Sequence, residues 1–164
     1  MADGRRLPEA VTHLPFFIGE LAGIKIALGK WQEALTLLDE STSLPPAPGG
    51  AITGPDEAQI HLWRGQALLK LRGDTDAHLE FQRVDAFWRE FDPGHPMAAE
   101  AAWWYGHSLI ATGEVKRGKA MVAAARPRLA ASFLPHLRPL ATAPSPIPLP
   151  AARPPNAQAT VAAR

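Results

Sequence analysis

Apolar residues recur at helical spacing along most of the chain. Trp31, Leu35 and Leu38 are four and three residues apart. Leu62, Leu68, Leu69, Phe81, Val84 and Trp88 follow a similar rule, as do Trp103, Leu109, Val122 and Leu129. At ~3.6 residues per turn this spacing gathers the apolar side chains on one face. Period-two runs of β-branched residues are absent, so no strand is expected. Proline and glycine set the boundaries. Leu44 to Pro55 reads LPPAPGGAITGP and Asp92 to Pro96 reads DPGHP, both loops. Pro55 and Pro96 each stand in a first helical turn, and Asp56 and Glu57 suit the positive end of the helix that follows. Gly29, Gly73 and Gly113 punctuate helix ends. The pattern predicts an all-α chain of six helices in three pairs, followed by a short terminal helix. From Ala143 onward there are six prolines in 22 residues and no apolar period. We therefore expect a helical domain over 1–142 and a disordered, partly polyproline-II tail over 143–164.

The pairs repeat. A small residue recurs in the first helix of each pair, at Ala22, Gly65 and Gly106. Another recurs in the second helix, at Ala34, Ala77 and Gly118. Both series are spaced by 43 and then 41 residues, and each first-series residue lies 12 before its partner. Small residues at a fixed register let paired helices cross closely. A fixed period in this range, with helix–turn–helix units, is the signature of a helical solenoid.

LGKWQEALTLLDES, from Leu28 to Ser41, resembles the turn and second helix of the tetratricopeptide repeat (TPR) family. RGDTDAHLEFQRV and TGEVKRGKAMVAAA are similar but weaker copies, and FDPGHPMAAEAAWWYGHSL looks like the opening of an extended repeat. The longer period is similar to the repeats of kinesin light chains and of many bacterial multi-repeat proteins. The last two units also resemble the TPR-rich C-terminal regions of some bacterial serine/threonine kinases. The chain departs from the family at Arg72, where glycine is usual, at Gly118, which replaces the second alanine, and at Lys25, where an aromatic is usual. The resemblance covers roughly residues 15–132. It implies a TPR-like solenoid of three helix pairs with a short capping helix. It also implies a concave groove lined by the first helix of each pair. Carried onto this sequence, the groove positions include Gln59, Leu62, Gln66 and Lys70 in the second unit, and Glu100, Trp103 and His107 in the third. Phe16, Gly19, Gly23 and Ile26 occupy the same register in the first unit. Such a groove would take a partner peptide or helix, with Trp103 as the aromatic anchor. The Lys/Asn arrangement with which some family members clamp a C-terminal carboxylate is absent, and Lys70 with Arg64 does not replace it.

Charge alters this picture at one end. The net charge of +1 hides a split. Residues 1–114 carry 9 Lys/Arg against 16 Asp/Glu, whereas 115–164 carry 8 Lys/Arg and no acid. Lys116, Lys119 and Arg126 flank the Val122–Ala125–Leu129–Phe133 face on one side, Arg117 and Arg128 on the other. This basic end could meet nucleic acid, anionic lipid or an acidic peptide; a solvated outer face is the plainer reading, and nucleic acid is the weaker expectation. Phe16, Phe17 and Ile18 stand at the open N-terminal end, where a solenoid usually carries a polar cap. A missing upstream repeat or a homodimer contact would account for them.

Chemistry adds little. Cysteine is absent, which excludes disulfides, thiolate metal sites and cysteine nucleophiles. The six histidines form no metal-helix motif, although Glu57 and His61 could share a helix face. Gly106-His107-Ser108 approaches a nucleophile elbow but lacks the second glycine and falls inside a helix. Asp74, Asp76 and Glu80 lie near a helix start, where acids are expected anyway. No glycine loop suited to phosphate is present. No stretch is long and apolar enough to span a bilayer. The expectation is a non-catalytic, cytoplasmic protein-interaction module without metal or cofactor. The alternatives are a basic C-terminal helix on nucleic acid or an anionic membrane surface, and a regulatory fragment of a larger signalling enzyme.

Overall fold

A computed structural model describes residues 14–43, 52–71 and 74–147. Among the described residues six α-helices follow in order: α1 Leu14–Ala27, α2 Trp31–Ser43, α3 Pro55–Leu71, α4 Asp74–Phe91, α5 Pro96–Ala111 and α6 Val115–Ala130. A 3-10 segment, Pro135–Ala141, closes the described chain. No strand occurs among the described residues. The helices pack in sequence-adjacent pairs, α1 with α2, α3 with α4 and α5 with α6, and each pair leans on the next. Among the described residues no helix is long and apolar enough to cross a membrane.

Local chemistry sets the turns. Gly29 and Gly113 adopt φ of 71° and 103°, the left-handed region that glycine enters without a Cβ penalty. After α1, Gly29 N–H donates to Ile26 O at 2.9 Å and Lys30 N–H to Lys25 O at 2.8 Å. After α5, Gly113 N–H reaches Ile110 O and Glu114 N–H reaches Leu109 O. These paired bonds use up carbonyls that each helix end would otherwise leave bare. Gly73 lies outside the described residues. The DPGHP break is a capped turn. Asp92 Oδ1 accepts from Gly94 N–H at 2.9 Å, and His95 Nδ1 accepts from Met97 N–H at 3.2 Å to cap α5. The His95 ring stacks on Trp88, with centroids 4.8 Å apart and planes 9° apart. Glu57 serves the start of α3, accepting from both Thr53 N–H and Thr53 Oγ1 at 2.7 Å. Its carboxylate is a helix cap, not half of a metal pair with His61.

All six small residues of the repeat are buried. A Cβ on Gly65 would meet the Phe81 ring at 2.6 Å, and one on Gly106 would meet Val122 at 2.9 Å and Gly118 O at 3.0 Å. At Gly118 a Cβ would press into Gly106 O and stand 2.7 Å from Ile110 Cγ1 and 2.9 Å from Ile110 N. Two of those three neighbours are backbone and cannot swing away. Gly118→Ala gains about 1 kcal/mol of helix propensity, yet the clash must move α5 from α6. We expect a net loss of about 1–3 kcal/mol, read as a lower urea midpoint with unchanged slope. A raised midpoint would mean that the α5–α6 crossing is looser than this.

The interior divides in two. The larger cluster spans α1 to α5 and includes Leu35, Leu38, Leu62, Leu68, Phe81, Val84, Trp88, Tyr105 and Leu109. The smaller one joins Ala99 and Trp103 of α5, Val122, Ala125 and Leu129 of α6, and Leu137 of the 3-10 segment. Trp104 touches both and stacks on Phe81 at 5.3 Å. Helix α6 runs unbroken through Pro127, whose ring sits on the exposed side. Ordered structure passes the expected tail boundary: Ala143 packs on the second cluster and Ile147 is only 2% exposed. Proline there ends helix formation without preventing burial. Residues 148–164 lie outside the described residues.

Candidate functional site

Four α3 positions and three α5 positions were expected to line one groove. The structure separates them. Leu62 is buried in the larger cluster, and Trp103 is buried in the smaller. Gln59 and Gln66 are half-buried, and Lys70 is exposed with its Nζ 5.9 Å from the Trp31 ring centroid. Glu100, Trp103 and His107 are all buried, so they do not face open solvent. In α1, a Cβ on Gly19 would meet Ile60 at 2.8 Å and one on Gly23 would meet the Trp63 ring at 2.7 Å. That face is therefore spent on α3 rather than left open. The Phe16 side chain lies outside the described residues. Trp103 as an exposed anchor is thus corrected: residues of the C-terminal segment share its cluster and fill the space beside it.

The α5 stripe is chemically unusual. Trp103 and His107 are one turn apart and meet edge to face, with centroids at 4.5 Å. Among the described residues, Trp103 Nε1, Trp104 Nε1 and both His107 ring nitrogens are buried without hydrogen-bond partners. Burial holds the His107 pKa down to about 4, and the nearby Arg126 charge pushes the same way. Burial lifts the Glu100 carboxyl to about 7; the Trp104 indole one turn along offsets part of this without reaching hydrogen-bond geometry. The stripe thus keeps an uncharged imidazole and a carboxyl that titrates near neutrality, with donors unspent.

A second polar site sits between α3 and α4. Glu80 is 4% exposed, its Oε2 lies 2.6 Å from His61 Nδ1, and its Oε1 accepts from Arg64. Arg64 Nε also donates to Asp39 Oδ1 at 3.0 Å, tying α2 into the cluster. Arg83 stands 3.9 Å from Glu80 Oε1. Burial alone would raise the Glu80 pKa, but the His61 hydrogen bond and the His61, Arg64 and Arg83 charges outweigh it and hold the carboxylate below its ordinary range. An open recess of ≈ 280 Å³ lies alongside, lined by Arg64, Leu68, Asp76, Leu79, Glu80 and Arg83. No sequence signal marks this cluster, because His61 and Glu80 are 19 residues apart and Arg64 and Asp39 are 25 apart. Only the helix packing brings them together.

Ser108 resolves the near-miss nucleophile. Its Oγ donates to Tyr105 O at 2.8 Å and lies 3.0 Å from His78 Nδ1. With the hydroxyl proton spent on the helix carbonyl, Oγ accepts from His78 Nδ1–H. In this arrangement the imidazole nitrogen facing the serine acts as a donor. Among the described residues no group of three or more His, Asp or Glu side chains is placed to hold a metal ion.

Comparison with protein-family models, with curated proteins and with solved structures gives no match.

Proposed function

We propose that this chain is a non-catalytic protein-interaction module built as a TPR-like array. The observation that carries the reading is the accessible polar edge of α3, with the buried polar stripe of α5 in support. Buried nitrogens left without partners are a standing cost that acceptors on a partner would relieve. The paired helices and the six buried small residues are in keeping with a repeat array. An accessible polar edge remains on α3, where Gln66 and Lys70 are four residues apart and Lys70 lies over Trp31. Trp103→Ala would remove a core side chain and cannot test binding alone. Gln66→Ala combined with Lys70→Ala leaves the core intact. We expect that double variant to keep its helical circular dichroism and its melting temperature, and to lose protein partners captured by the wild-type chain. An unchanged partner set would count against the reading.

The basic-helix alternative is weakened by its own geometry. Arg117 pairs with Glu114, Arg126 donates to Ala143 O, and Arg128 donates to Pro93 O and His95 O. Three of its arginines are thus engaged within the chain rather than offered outward. If Lys116, Lys119 and Arg126 changed together to Ser abolish binding while the α3 double variant spares it, that alternative is the better one.

A further inference from the structure

The segment after α6 covers the α5 stripe without satisfying it. Leu137 is 1% exposed, and Leu134, Leu140, Ala141 and Ala143 pack into the cluster that holds Trp103. The segment brings apolar surface but does not give its acceptors to Trp103 Nε1 or His107. Five of its carbonyls are used elsewhere. Ser132 O accepts from Arg138 at 2.8 Å, Ala143 O from Arg126 at 3.2 Å, and Ile147 O from Ser145 Oγ at 2.8 Å. Leu134 O and Pro139 O close turns of the segment itself.

Charge is mismatched as well. Between Val115 and Ile147 there are six Lys/Arg and no Asp or Glu, so the cover and the helix beneath it carry the same sign. Arg138 belongs to the cover, and Arg126 to its seat, donating to Ala143 O. Pro135, Pro139, Pro144 and Pro146 supply no N–H, so few backbone hydrogen bonds can hold the cover down.

We propose that Ser132–Ile147 is a displaceable cover, and that an acidic segment of a partner protein replaces it. This rests on the reading of the chain as an interaction module. The partner segment carries a carboxylate beside a branched aliphatic side chain. The aliphatic group takes the place of Leu137 against Val122 and Leu129. The carboxylate accepts from Trp103 Nε1–H and from the His107 N–H, and pairs with Arg126, which is freed from Ala143 O when the cover leaves.

The test uses the full chain and two peptides. The probe has the sequence of residues 132–147 with His136→Glu and Arg138→Glu; the control has the unaltered sequence. Amide exchange and the Trp103 indole N–H resonance, assigned with Trp103→Phe, are the readouts. Amides of the cover should exchange at least about 100-fold faster than those of Trp103 to Leu109, as expected for a unit that opens on its own. The acidic probe should shift the Trp103 indole signal and deprotect the cover. Its affinity should exceed that of the control about tenfold or more and fall steeply towards ~0.5 M salt. Leu137→Ala, which loosens the cover, should tighten probe binding several-fold. Equal binding of both peptides overturns the charge argument. Binding that leaves the Trp103 signal and the cover unmoved overturns the site. Cover and α5 exchanging together, with no probe effect, overturns the proposal outright. A partner still captured through Gln66 and Lys70 would in that case leave the interaction-module reading standing.

Discussion

Glu80→Ala should lower the unfolding free energy by about 3–5 kcal/mol, the range for removing one partner from a buried charged pair. The loss is not the strength of one contact. Glu80 is the acceptor that balances His61, Arg64 and Arg83, and the site is buried on the Glu80 side. Without it, Arg64 keeps only the more exposed Asp39, and His61 loses its partner in a packed interior. Glu80→Gln keeps the shape and one acceptor oxygen but removes the charge, so its cost should fall between wild type and Glu80→Ala. Glu33→Ala is the control. It removes the exposed pairs with Lys25 and Lys30 and should have little effect, because water screens them. Urea midpoints measure all three. The pH dependence has a definite sign. Glu80 titrates below its ordinary 4.5 in the fold, so its contribution is present above that pH and disappears as pH falls through the folded value. In Glu80→Ala that acid-labile part should vanish. Equal effects of Glu80→Ala and Glu33→Ala would show that the α3–α4 cluster is not a dry network.

Glu100→Gln should become progressively more stable, relative to wild type, as pH rises from about 4.5 to about 7. The Glu100 pKa goes from an ordinary 4.5 in the unfolded chain to about 7 in the fold. Across that window the native state holds a proton that the unfolded state has released. Wild-type stability therefore falls with pH through this group, by up to ~1.4 kcal/mol per pH unit. Summed over the window, the difference between variant and wild type should grow by up to about 3 kcal/mol. His107 does the opposite. Its pKa drops from 6.5 to about 4 on folding. Between those values the unfolded state binds a proton that the native state refuses, so stability rises with pH. The two slopes oppose each other between about 4.5 and 6.5, and in the wild type they largely cancel. His107→Phe removes the rising limb, so that variant should gain on wild type as pH falls from 6.5 towards 4. Chemical denaturation at half-unit pH steps gives both difference curves. Flat curves would mean that the α5 stripe is hydrated and titrates as free groups do.

Much of the architecture was legible in one dimension. Helix positions follow from apolar spacing, and their ends follow from Pro55, Pro96, Gly29 and Gly113, because propensity and capping depend on a few neighbouring residues. The register of Ala22, Ala34, Gly65, Ala77, Gly106 and Gly118 could also be read, since a close crossing excludes side-chain volume wherever it recurs. The fate of the side chains beyond that register could not be. Trp103 sits on the expected stripe of α5, but what lies against that stripe is Leu137, which is 34 residues further on. The proline-rich composition after Thr142 spoke only of lost N–H donors. It did not reveal that Ile147 could still be buried, because burial depends on the shape of the receiving surface. The Glu80 cluster and the unsatisfied nitrogens of Trp103 and His107 have the same origin. Hydrogen bonds and desolvation act through space over a few ångströms, so which donors meet acceptors, and which are stranded, is decided only when helices distant in sequence are brought into contact.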